Sequence, residues 1–562
     1  ASDVYKRQVL GICGGHDANW CIFYNGKMLG AFEKERFSKI RHDTGYVLDL
    51  AEKTLNSFGF SFDDVNLVVT SEYNHKGTEP GLNFVSSKRY EKPNDWIENA
   101  TIIKNRKIPV FSIPHHLCHA AYSYYLSGKN ESAVLTLDGG GDLFTIDAYT
   151  SSSVSYWKDG KLSWLERIDN SDIGSLWHIY SKVIFGNIHA AGKLMGLSAW
   201  GENALVDDVR KYFVRPTRGL LNNVWSVKNC WPDEDFPPFC NVNDWTMKEA
   251  KDLAFAIQKI TTEAGVQLSK KIKSVTKTNF LALSGGVALN GYMNTSILNQ
   301  GIYEDVFVPP SVHDGGLSIG AVLFVLNHIL GIKTERHSEN DIVFTGMNYN
   351  NDICIQALKK HHVSYKIIDK NKKITQVANE LKQGKIIAYY ESKSEHGPRA
   401  LGHRSILASP VDPNMCKRLN STIKFREPFR PIAPVVLESD VSYCTNDIKR
   451  SPFMMYIVNT TETFQNSCPS GVHVDGSARL QTVNKDNPMG LILDELKNLD
   501  HPPALLNTSF NVCTPIVETP EDAIQTFLKV PIDSLYLEDL YVKPESSISA
   551  DMLGAVSYTH LT

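Results

Sequence analysis

Two stretches of this chain open in the same way, and the repetition constrains the fold more than any other feature. Val9-Leu10-Gly11-Ile12-Cys13 runs into the turn Gly14-Gly15-His16-Asp17, and a second apolar run ends at Tyr24. Asn25-Gly26 then turns the chain into a third strand from Lys27 to Glu33. Asn-Gly between two such runs is a strong hairpin signal, because both residues tolerate positive φ. The same grammar returns where Ala133 to Leu137 enters Asp138-Gly139-Gly140-Gly141-Asp142, followed by strand-like segments at 145–149 and near Trp157. Two such openings imply an internally duplicated α/β core.

The 562 residues leave room for two to four domains. An amphipathic helix is expected over 47–58, a strand over 65–70, a long helix over 250–273 and a buried strand from Phe280 to Ser284. Ile319 to Ile332 is too short and too interrupted, by Asn327 and His328, to span a membrane, and reads as a buried helix. A first domain over 1–345 and a linker region over 346–372 lead to a second domain over 373–562, which opens with a helix at 374–383 and a strand at 385–390. Residues 1–8 and 557–562 fit no pattern and are set aside as foreign to the fold.

A net charge of -4 with 21% charged residues describes an ordinary soluble chain and calls for no nucleic acid or membrane partner. Ten scattered cysteines without a C-x-x-C pair, and no secretory leader pattern, suit reduced thiols in a cytoplasm. A homodimer is the expected assembly.

Chemistry concentrates in two constellations. His115 and His119 stand one helical turn apart, so their imidazoles share a face and can seat one metal ion, although packing alone accounts for an isolated pair of this kind. Ser284-Gly285-Gly286, between a strand and a helix, has the form of a phosphate cradle, and equally of a tight turn without ligand. Later, Glu395-His396-Gly397-Pro398-Arg399 and Lys424-Phe425-Arg426-Glu427-Pro428-Phe429-Arg430 bring two basic clusters into one domain. Guanidinium forks suit phosphate oxygens, and structural salt bridging is the alternative. Ser509 and Asn511, two apart on a strand end, point the same way. Ser451-Pro452-Phe453-Met454 is expected to lay apolar surface over the pocket.

Taken in order, these motifs resemble one family. H-H-x-x-H-A, L-D-G-G-G-D, G-K-x-M-G-L at Gly192 to Leu197, S-G-G-V-A-L-N, D-G-G-x-x-x-G after His313, G-P-R-A-L-G-x-R-S, F-R-P-x-A-P, H-V-D-G-x-A-R-x-Q-T-V and L-N-T-S-F-N together are similar to the O-carbamoyltransferases of antibiotic and nodulation-factor biosynthesis. The likeness runs from Val9 to about Pro544. It implies an N-terminal domain of the actin/sugar-kinase (ASKHA) type, similar to the tRNA threonylcarbamoyl-transferase, followed by an α+β YrdC-like domain. The implied chemistry joins carbamoyl phosphate and ATP, as its Mg2+ complex, into carbamoyladenylate in the second domain. The carbamoyl group then passes to a hydroxyl of a small-molecule acceptor in the first.

By the same resemblance, Arg399, Lys424, Arg430, Ser509 and Asn511 serve the activation step, with Arg404 and Arg479 beside them. Lys193 and Gly196 approach the nucleotide on one side, and Ser284, Gly285, Gly286 and Asn290 on the other. His115, His119, Asp138 and Asp314 hold iron(II), with zinc and manganese equally compatible with the donors. His16 is the general base for the acceptor hydroxyl, and a turn residue bonding its own backbone is the structural alternative. His403 and His313 depart from the family's usual Asn and acidic residue. Two other readings compete: a threonylcarbamoylating enzyme acting on tRNA, which the charge balance disfavours, and a silent nucleotide-binding regulator, which would require one constellation to be broken. The acceptor loops, 90–99 and 219–243, carry no code.

Overall fold

A computed structural model of the chain describes residues 8–71, 96–141, 143–145, 148–149, 151–169, 171–222, 224–227 and 242–544. The duplication is present. In the first sheet, the central strand Gln8–Cys13 pairs antiparallel with Asn19–Tyr24, which pairs with Lys27–Glu33. On its other side it pairs parallel with Leu67–Thr70, which continues to Arg106–Ser112 and Ile97–Ile103. In the second sheet, Glu131–Leu137 takes the central place, antiparallel to Ser152–Lys158 and parallel to Phe280–Ser284. Lys161–Arg167 and Asp305–Phe307 close its edges. Numbered by chain order within each sheet, both share the order 3-2-1-4, which places both glycine/aspartate turns at the same end of equivalent strands. Gln8, set aside on sequence, is the first residue of the central strand.

Helices His115–Leu126 and Leu317–Phe324 pack between the two sheets, and every described residue from Leu317 to Leu326 is buried. The helix expected over 319–332 therefore lies in the core, and its last part, Val325–Ile329, loosens into a π-helical turn. The long helix extends over Lys248–Thr276, burying one face at 3.6-residue spacing. Among the described residues, no helix is long and apolar enough to cross a membrane.

The second half is built on one nine-stranded sheet whose middle runs Ile387–Tyr390, Arg404–Ala408, Ala504–Ser509, Ala433–Leu437, Ser477–Val483. The segment 346–372 carries helix Asn351–Lys360, whose Cys354, Ala357 and Leu358 join the second-half core, and edge strand Lys366–Ile367. The halves share a dry seam. Asn294 donates to the Met455 carbonyl at 2.8 Å, and Gly291 lies so close to Ile457 that a Cβ would meet it at 2.7 Å. Deeper in the seam, buried Arg36 donates to the Glu33 carboxylate (3.0 Å) and to the Gly397 carbonyl (2.7 Å), and His396 donates to the Gly315 carbonyl (2.9 Å).

Candidate functional site

His115 opens its helix directly after Pro114, and His119 follows one turn later. Asp138 ends the central strand of the second sheet, and Asp314 begins the turn Asp314–Gly316 ahead of the packed helix. All four are buried, and their ligand atoms lie within 4.8 Å of one another. Imidazole Nε2 of His115 is 3.0 Å from Asp138 Oδ2, 3.1 Å from His119 Nε2 and 3.6 Å from Asp314 Oδ1. His119 Nε2 is 3.4 Å from Asp138 and 3.3 Å from Asp314. A dication about 2.0–2.2 Å from each ligand spaces adjacent ligands about 3.0–3.6 Å apart. Two imidazoles and two carboxylates converging at that spacing fit a divalent metal.

The surrounding backbone fixes this cluster. Ser284 Oγ donates to the His119 carbonyl (2.7 Å), Asn19 Nδ2 to the Asp314 carbonyl (2.9 Å), and the Gly286 N–H to Asp138 Oδ1 (2.9 Å). The Ser284-Gly285-Gly286 turn thus holds a carboxylate of the cluster, and the N–H of Gly286 is engaged by Asp138. Gly285 has φ +82° and sits 2.2 Å, measured from a would-be Cβ, from the Leu137 carbonyl. A side chain at Gly174 would meet the Asp138 carbonyl at 2.2 Å. Only glycine permits these approaches.

His16 stands at the rim, with a half-exposed side chain. Its Nε2 is 3.3 Å from Asp314 and its Nδ1 is 2.9 Å from Asp17. Asp314, then Asp17, push it up to about 10. A dication held by Asp314 would oppose that field and favour the neutral, proton-accepting imidazole. Asp17 also takes His42 Nδ1 at 2.7 Å and is held well below the usual carboxylate range by both imidazoles against its burial.

The second constellation has the opposite electrostatics. Lys424 Nζ donates to the Ser509 carbonyl (2.8 Å), Ser509 Oγ (3.1 Å), the Asn511 carbonyl (3.0 Å) and Asn511 Oδ1, so the expected trio is together. Arg399, Arg426, Arg430 and Arg479 line the same space. Burial, then Arg430, push Arg399 down to about 10, and burial and Arg430 push Arg426 down to about 9. Burial and neighbouring arginines likewise depress Lys424 and Arg479 strongly. Arg399 Nε and Arg479 Nε are buried with no hydrogen-bond partner among the described residues. Guanidinium groups resist deprotonation, so the arrangement is relieved by an anion.

A single cavity of about 1560 Å³ connects the two ends, with His16, His115, Asp138 and Asp314 at one and Arg399, Lys424, Arg430, Ser509 and Asn511 at the other. Met454 lines it as expected. The remaining expected residues fall in different places. Arg404 lies outside the cavity, fully buried 3.5 Å above the Tyr390 ring, and donates to the carbonyls of Glu391, Ser392 and His403. Asn290 reaches the cavity wall, but its amide caps helix Gly291–Leu298 and pairs with Gln258 at 3.0 Å in both directions. Lys193 lines the cavity with its ammonium 2.6 Å from Glu427, across the seam, and Gly196 faces Phe429. Sequence reasoning passed over Asp17, beside His16, and Arg426, inside the second basic cluster. Of the expected acceptor loops, residues 90–95 and most of 219–243 lie outside the described residues, whereas 97–99 belong to strand Ile97–Ile103 rather than to a loop.

The carbamoyltransferase N-terminus family model matches residues 79–323 and the carbamoyltransferase C-terminus model matches residues 378–544. Nodulation protein NolNO of Sinorhizobium fredii is 28% identical over 565 residues, covering 95% of this chain and 80% of that protein. Nodulation protein NolO of Bradyrhizobium diazoefficiens is 30% identical over 447 residues, covering 76% and 78%. Full-length HypF in its phosphate- and nucleotide-bound form aligns with a TM-score of 0.31 at 15% identity, over 57% of this chain and 56% of that one. With both family models matched in order and relatives aligned over most of its length, the chain belongs to the carbamoyltransferase family and is an enzyme that transfers a carbamoyl group.

Proposed function

We propose that the protein is an ATP-dependent O-carbamoyltransferase whose two reactions occupy the two ends of one cavity. The observation that carries the reading is that cavity, joining a cluster of unsatisfied cations to a His/Asp cluster built for a dication. At the cationic end, in a YrdC-like half, carbamoyl phosphate loses phosphate to water and leaves carbamate. A carbamate oxygen attacks the α-phosphorus of ATP, the bond to the β-phosphate breaks, and pyrophosphate leaves with carbamoyladenylate formed. Arg399, Arg430 and Lys424 neutralise the phosphates, and Ser509 and Asn511 orient the small carbamoyl group.

At the other end, His16 takes the proton of an acceptor hydroxyl, whose oxygen attacks the carbamoyl carbon as AMP leaves. His115, His119, Asp138 and Asp314 would hold iron(II) or another divalent ion, which supplies Lewis acidity to a carbamoyl or phosphate oxygen. Delivery within one continuous cavity shortens the exposure of a hydrolysable intermediate to water. The acceptor is a hydroxyl-bearing small molecule such as a sugar or natural product, and the free cysteines suit a cytoplasmic enzyme.

Purified protein given ATP and carbamoyl phosphate is expected to release pyrophosphate. Arg430→Ala abolishes that release, whereas His119→Ala spares it and blocks transfer. Equal loss in both variants would overturn the division of labour. Mass spectrometry of a hydroxyl-compound panel, scored for a carbamoyl mass gain requiring both co-substrates, identifies the acceptor.

A further inference from the structure

The anion end of the cavity is not built by the second half alone. Arg41 belongs to the first half, in the loop between helices Lys34–Ser38 and Leu48–Ser57, yet its side chain lines the same cavity as Arg426, Arg430 and Lys424. Its Nη2 donates to the Thr514 carbonyl at 3.0 Å. Asn511 Nδ2 donates to that same carbonyl, and Asn511 Oδ1 accepts from Lys424. One carbonyl therefore ties Arg41 to the residues that hold Lys424. After burial, which dominates, the field of Arg41 is among the influences lowering Lys424, Arg426 and Arg430.

Although exposed, Arg41 is held from both sides. Lys39 bonds Asp522 of the second half. His42 bonds Asp17 through its ring at 2.7 Å and Glu35 through its N–H at 2.9 Å. Lys39 and His42 both adopt the left-handed region, at φ 65° and 54°, so the loop turns sharply around Arg41. A guanidinium carries five N–H groups. Among the described residues, those of Arg41 meet only the Thr514 carbonyl, and no carboxylate pairs with it. Glu427, the acid of this region, is already engaged by Lys193 at 2.6 Å and Arg430 at 3.8 Å. A further cation fixed beside Lys424, Arg426 and Arg430 is favoured by an anion placed between them.

We propose that Arg41 is a phosphoanion-binding residue supplied by the first half to the pocket of the second. Its ligand class is the pyrophosphate unit, carried by ATP or released from it. The inference rests on the adenylate-forming reading above, and it makes the activation step dependent on docking of both halves.

The test is calorimetric titration of the full chain with inorganic pyrophosphate. Arg41→Ala and Arg41→Gln are expected to weaken binding by about tenfold or more, the effect of one charge-assisted contact. Arg41→Lys recovers part of the loss, since lysine keeps the charge without the fork. Arg41→Gln, similar in length and polarity, separates charge from fold, and melting temperature and metal content stay unchanged. Affinity in Arg41→Ala within about twofold of the parent, or no pyrophosphate binding by the parent protein, overturns the proposal. Carbamoyl-phosphate-dependent pyrophosphate release is measured separately. A protein that binds pyrophosphate through Arg41 and releases none from ATP keeps this inference and loses the adenylate-forming reading.

Discussion

The two ends of the cavity handle charge in opposite ways. Around His115, imidazoles and carboxylates alternate, each answering its neighbour at 3.0–3.6 Å. Around Arg399, like charges face one another, two guanidinium Nε atoms lack hydrogen-bond partners among the described residues, and Glu427 is taken by Lys193. The first region is assembled before its ligand arrives. The second is held under electrostatic tension that a ligand relieves, so binding energy there is available for chemistry.

The sharpest way to break this contrast is at Arg399. Arg399→Ala should lower kcat/KM for pyrophosphate release by about 10²–10³-fold, as expected for removing a desolvated charge contact. Bound metal, measured by plasma mass spectrometry, should not change. The converse variant, Asp314→Asn, should weaken metal binding by at least about 10–100-fold while leaving pyrophosphate release intact. A loss of both functions in either variant would mean the two ends are one site. Gly174→Ala probes the preassembled end through its backbone. Its Cβ would press on the Asp138 carbonyl, so we expect about 1–3 kcal/mol of destabilisation in denaturant melts and weaker metal retention.

Smaller effects test the tension itself. Lys424 is depressed by burial and by Arg426, so the empty folded state binds fewer protons there than the unfolded chain. The contribution of Lys424 to the stability of the ligand-free protein therefore rises with pH from its lowered folded value up to the ordinary lysine range, whereas anion affinity falls over the same window. Titration in buffers of different ionisation enthalpy should show proton uptake on pyrophosphate binding, absent in Lys424→Met. Last, Arg479→Met should stabilise the ligand-free protein by about 1 kcal/mol, seen as a raised melting temperature, while reducing ATP affinity. A drop in melting temperature would show that Arg479 is already compensated.

The sequence carried the duplicated core openly, because the hairpin turns and strand periodicity are local signals. The metal-type cluster was half legible. The spacing of His115 and His119 is written in one helix, but Asp138 and Asp314 come to it from other elements, and their glycine loops mark them as candidates without placing them beside the pair. Arg404 shows the limit in the other direction: one basic cluster holds both Arg399, which faces the cavity, and Arg404, which strand pairing turns onto Tyr390 and three carbonyls. Residue type cannot separate them, whereas sheet register does. At Gly286 a free N–H and an N–H given to Asp138 look identical in one dimension, so the turn alone does not tell a phosphate cradle from a carboxylate anchor. Arg41 left no local signal, since its partner Thr514 is remote in the chain.

The seam around Arg36 has a consequence for how the enzyme matures. Arg36, Glu33 and His396 are buried in the seam, and the carbonyls that Arg36 and His396 engage, Gly397 and Gly315, belong to the loops carrying Arg399 and Asp314. During synthesis the first half emerges with its Asp314 loop lacking His396, and the arginine loop lacks Arg36 until the second half folds against it. Docking of the halves therefore completes both loops in one event, and neither end of the cavity reaches its final shape ahead of the other.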